Sequence, residues 1–106
     1  MALAACAALA AGCGGDDDSN DKRATALECL RNDKGLDARL AGRDAIQVGD
    51  GERGPRIRFF LTSGEAEAAQ FEGRQEGTEH IGSALLFVRQ GSDELLKDVE
   101  SCLDSL

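Results

Sequence analysis

Four cysteines, one histidine, a G-x-G-x-x-G string and an arginine pair flanked by phenylalanine are the residues in this 106-residue chain whose types and spacing could do chemistry. Thiols exchange disulfides, ligate metals or attack as thiolates. No C-x-x-C occurs, however, and no His or basic cluster stands beside any cysteine to favour a thiolate. His80, flanked by Glu76 and Glu79, could act as a general base or metal ligand. One imidazole without a spaced nucleophile or paired carboxylates reads more simply as a surface or edge histidine. Gly49-Asp50-Gly51-Glu52-Arg53-Gly54 satisfies the dinucleotide fingerprint by letter, but those glycines work where a strand turns into a helix. Here Pro55 and an alternating strand follow, so the segment reads as a hairpin loop. Arg56, Arg58 and Phe60 alternate on one strand face and could offer two guanidinium groups and a ring to an anionic partner. No G-x-S-x-G, S-x-x-K, H-E-x-x-H or Walker pattern is present. No catalytic residue, cofactor site or metal site is assigned on these grounds.

The border at Ala10-Ala11-Gly12-Cys13 is of another kind. From Met1 to Gly12 no side chain is charged, yet twelve helical residues span about 18 Å against roughly 30 Å of hydrocarbon. A short apolar stretch ending in small residues fits a secretory signal. Ala10-Ala11-Gly12-Cys13 resembles the lipobox of bacterial lipoproteins. That resemblance implies removal of residues 1–12, and a diacylglyceryl group with palmitate-type acyl chains on Cys13. Leu3-Ala4-Ala5-Cys6 also fits by letter, with almost no apolar chain ahead of it. With no Lys or Arg before the apolar run, the true start is expected upstream of Met1. Acyl burial contributes about 0.8 kcal/mol per methylene, so such a cysteine would anchor the protein on the outer side of a membrane without a spanning helix. The polar run after Cys13, taken as residues 13–23, reads as a flexible acidic linker.

If Cys6 leaves with the signal and Cys13 is acylated, Cys29 and Cys102 remain. Each lies on the apolar stripe of an expected helix, with Ala26 and Leu30 in the first and Leu95, Val99 and Leu106 in the last. An exported chain meets an oxidising compartment, so these two are expected to close a disulfide. Free buried thiols and a redox pair are the alternatives. The net charge of −8 argues against nucleic acid as a partner. Residues 61–106 hold ten acidic and three basic residues, so the acidity sits in the second half.

These residues require elements to position them. Helix is expected over 24–31. Residues 36–40 form a short strand or extend that helix, 45–48 form a strand, and 49–55 form a loop. A strand from Pro55 has Ile57, Phe59 and Leu61 inward and Arg56, Arg58 and Thr62 outward. Thr62-Ser63-Gly64-Glu65 caps a second helix that turns Ala66, Ala69 and Phe71 to the core. Ile81–Val88, almost wholly apolar, reads as one strand covered on both faces, and Ser92 caps a last helix. The expected fold is α/β in the α+β sense: residues 24–106 as one small two-layer sandwich, helices on a mixed sheet of three to four strands. The body resembles small lipoproteins of actinobacterial type, in which a cysteine near each end brackets a helix-and-sheet domain; the likeness carries no site residues. Together the resemblances imply a tethered envelope module, non-enzymatic, binding an envelope protein or a small ligand. A redox or hydrolytic enzyme using Cys29, Cys102 or His80, and a structural accessory subunit, are the rival expectations.

Overall fold

The computed structural model describes residues 21–72 and 77–106. The expected leader 1–12, Cys13 and the linker as far as residue 20 lie outside the described residues. Residues 21–28 are helical (α1), and the helix widens into a π turn at Cys29–Asp33, where Lys34 N–H donates to the Cys29 carbonyl at 3.1 Å. Asp21, Lys22 and Arg23, expected in the linker, are therefore helical. Long-range contacts hold them there. Lys22 Nζ donates to Ser83 Oγ at 3.2 Å, and Arg23 donates to the Gly42 and Ala45 carbonyls at 3.2 and 3.4 Å.

The chain continues as β1 (Ala38–Ala41), β2 (Ala45–Val48), β3 (Arg56–Phe59), α2 (Ser63–Glu72), β4 (Thr78–Ile81), β5 (Ala84–Phe87) and α3 (Asp93–Asp104). The strands form one sheet in the order β1-β2-β3-β5-β4, with every neighbouring pair antiparallel. The α+β class holds, but the sheet has five antiparallel strands instead of a mixed set of three to four. Segment 36–40 resolves in favour of a strand. The extra strand arises at Gly82-Ser83: Gly82 at φ 59° turns the chain so that Ile81 pairs with Ala84. Such a two-residue turn is short enough to hide between apolar residues. β5 keeps the interior place its apolar run implied, between β3 and β4.

Register sorts side chains onto two faces. On the first, Ala38, Ile46, Val48, Ile57, Phe59, Ala84 and Leu86 meet Ala26 of α1, Leu30 of the π turn that continues it, and Val99, Cys102 and Leu103 of α3 in one core. The disulfide Cys29–Cys102 ties these two helices together, with Cα atoms 5.7 Å apart. On the second face α2 lies over β4 and β5. Gln70 Nε2 donates to Thr78 Oγ1 at 3.0 Å, and Ala66 and Leu85 are buried outside the main core. The alternate residue Glu79 instead reaches Glu100 of α3. Helices thus cover both faces, which corrects the two-layer expectation. Phe71 is 79% exposed, not in the core. Five residues beyond Ala66, it sits about 140° around the helix from the buried stripe. Leu61, expected inward, is also exposed, because β3 ends at Phe59. Over β1, β2 and β3 the second face carries no helix among the described residues.

Candidate anion-binding groove

The uncovered part of the second face is built from cross-strand rows. One row runs Arg39, Gln47, Arg56, Phe87, and the next runs Ala41, Ala45, Arg58, Leu85. Long side chains therefore stand around two alanines, and the difference in length leaves a hollow of about 380 Å³. Asp44, Ala45, Arg56, Arg58, Phe87 and Arg89 line it. Arg58 Nε donates to Asp44 Oδ2 at 3.0 Å, and its guanidinium carbon sits 4.9 Å from the centre of the Phe60 ring. One edge of that guanidinium is thus held by a carboxylate and one face by an aromatic ring, and its terminal nitrogens have no further partner among the described residues. Arg56 has no hydrogen-bond or ion-pair partner among the described residues. The expected surface of Arg56, Arg58 and Phe60 is a single patch, and the fold adds Arg89, Phe87 and Asp44 to it. Those three were missed because pairing of β5 with β3, and the return of the β1–β2 turn to Arg58, are set by topology. The legible signal was faint: an arginine closing the apolar run.

The Gly49–Gly54 loop has a part in this site, though not the one its letters suggest. It folds back over Gln47, which is 3% exposed. The Gln47 amide nitrogen lies 2.8 to 3.2 Å from the carbonyl oxygens of Val48, Asp50, Gly54 and Pro55. Arg89 donates to the Gly51 carbonyl at 2.7 Å, and Arg39 to the Gly49 carbonyl at 3.0 Å. The loop presents carbonyl oxygens to cations and an amide, the reverse of a phosphate loop's N–H donors. A hairpin loop it is, between β2 and β3. Arg89 has φ 47°, a left-handed conformation that costs free energy for a residue with a side chain. The carbonyl contacts of its guanidinium hold it in that place.

The other candidates are placed elsewhere. His80 is a half-buried residue of edge strand β4, on the α2 side, where its Nε2 shares a 3.2 Å hydrogen bond with Ser63 Oγ. This is a nucleophile-and-base contact that sequence spacing did not suggest. Neither an Asp nor a Glu hydrogen-bonds the ring among the described residues, where a triad would place its orienting third member; Glu76 lies outside the described residues. Cys29 borders a hollow of about 230 Å³ shared with Glu28, Asn32 and Asp33, with no cationic side chain in its lining. Thiolate chemistry draws on cationic neighbours, which this border lacks. The Glu79 carboxyl is held above its ordinary range, first by its hydrogen bond to the Glu100 carboxyl, then by burial and by like charge. Among the described residues no group of three or more His, Cys, Asp and Glu is placed to hold a metal ion, and no helix is long and apolar enough to cross a membrane. Comparison with protein-family models, with curated proteins and with solved structures finds no match to this chain.

Proposed function

We propose that the chain is an exported lipoprotein anchored through Cys13, whose disulfide-closed domain is a non-enzymatic binding module working through the arginine-lined groove. The observation that carries the binding part is the convergence of Arg56, Arg58 and Arg89 on one hollow in a protein of net charge −8. Concentrating cationic groups against the sign of the whole molecule favours an anionic partner locally, while the remaining surface repels polyanions. The Cys29–Cys102 bridge is compatible with an oxidising compartment. Its place across α1 and α3, away from the groove, suits a staple more than a reactive pair.

The anchoring part is tested by intact mass. A protein lacking residues 1–12, carrying acyl mass on Cys13 and two protons short for Cys29–Cys102 is the expected species. An unmodified Cys13 in the mature protein sinks the tether. The hydrolytic rival rests on the Ser63–His80 contact. An ester hydrolysis that disappears in both Ser63→Ala and His80→Ala would favour that rival over the binding module.

A further inference from the structure

The groove has a chemistry more specific than positive charge. Along β3, Arg56 and Arg58 are two residues apart, about 7 Å between Cα atoms, and both point to the second face. Arg56 has no hydrogen-bond partner among the described residues. Arg58 spends its Nε on Asp44 and keeps its terminal fork. A planar fork with free N–H groups matches an oxyanion in a bidentate way, in a manner a lysine ammonium does not. Beside the pair, Phe87 stands directly opposite Arg56 in register and forms an apolar wall, and Ala45 makes the floor. The hollow of about 380 Å³ lies at the small end of the range for small-molecule sites. It is too small for a folded segment. A flat anionic membrane is disfavoured too, because the residues outside the groove carry the excess of negative charge.

We infer that the groove binds a small soluble oxyanion with a flat apolar part, a phosphate monoester or carboxylate whose head sits on Arg56 and Arg58 and whose ring lies against Phe87. Arg89, fixed by the Gly51 carbonyl, closes the far side and adds field at a set position. Asp44 has the opposite effect. Among the described residues it is the one anionic group in the lining, and it occupies one edge of Arg58, so it competes with the ligand's head. This inference rests on the reading of the groove as the working face of a binding module. It adds the ligand's chemical class.

The test is a titration of the 15N-labelled, oxidised full chain with phenyl phosphate, benzoate and inorganic phosphate at constant ionic strength, following arginine Nε–H and backbone amide signals. Saturable shifts confined to the groove residues Arg56, Arg58, Arg89, Ala45 and Phe87, stronger for the two ring-bearing anions than for inorganic phosphate, are expected. Arg56→Ala weakens binding about tenfold or more, the scale of losing a charge-assisted pair. Asp44→Asn tightens it, a direction that a merely structural role for Asp44 would not produce. Lys97→Ala, at an exposed position of α3, leaves it unchanged. Shifts that never saturate, that spread over other cationic residues, or that persist unchanged in Arg56→Ala overturn the inference. So does binding to phosphatidylglycerol vesicles with no response to phenyl phosphate, which would assign the groove to a lipid headgroup. The intact-mass result is independent: an acylated protein with a silent groove removes the ligand and leaves the tether, and saturable binding by an unacylated protein does the reverse.

Discussion

Glu79 and Glu100 illustrate how one side-chain pair sets a pH dependence. A shared proton raises the folded-state affinity of Glu79 above its unfolded value. The native state then binds more protons than the unfolded one, so the stabilisation is present in full below about pH 4.3 and is lost as pH rises through the folded value. Glu100→Gln keeps a hydrogen-bonding partner and removes the like charge. It should stabilise the protein at pH 7 by under about 1 kcal/mol, the scale of a solvent-screened pair, and do nothing at pH 4; urea unfolding at the two pH values checks both halves. A steric constraint operates at Gly54, where an added Cβ would fall 1.8 Å from the Val48 carbonyl oxygen. Backbone cannot swing aside as a side chain can. Gly54→Ala should therefore cost about 1–3 kcal/mol and loosen the loop over Gln47, seen as a lower urea midpoint and faster amide exchange at 49–54.

At the scale of elements, each helix shows which of its signals were decisive. The caps behave as their letters direct: Thr62 Oγ1 accepts from Glu65 N–H at 3.1 Å, and Ser92 Oγ accepts from Leu95 N–H at 3.2 Å. Ser92→Ala should lower stability by about 1 kcal/mol in thermal melts. The stripe of α2 is another matter. It is mostly alanine and charge, so Phe71 looks like the one large apolar residue with a claim on the core, and it points away. Phe71→Ser should change stability by less than about 0.5 kcal/mol. Phe59→Ala, at 2% exposure in the main core, should cost about 3–5 kcal/mol. Calorimetry of the two variants separates a packed phenylalanine from a stranded one. The short strand run held a comparable ambiguity: a nearly all-apolar stretch does not reveal a two-residue turn, because Gly82, Ser83 and Ala84 are all small and interrupt the apolar run only at one hydroxyl.

For the whole molecule, the bridge between α1 and α3 spans 73 residues of sequence and closes most of the domain into one loop. In the chain-entropy account such a loop contributes on the order of 4 kcal/mol through the unfolded state. The double variant Cys29→Ser, Cys102→Ser should lower the urea midpoint accordingly and leave the arginine groove intact, since the bridge lies on the opposite face. Several properties were determined by the sequence alone: α+β class, the two caps, the inward cysteines and the outward pair Arg56 and Arg58. Each depends on spacing within a few residues, and local periodicity encodes it. Tertiary structure decided strand order, the placement of α2 on the second face, and the meeting of Asp44, Phe87 and Arg89 around that pair. Those depend on which segments lie side by side, a matter of burial and turn geometry over the whole chain that no local pattern records.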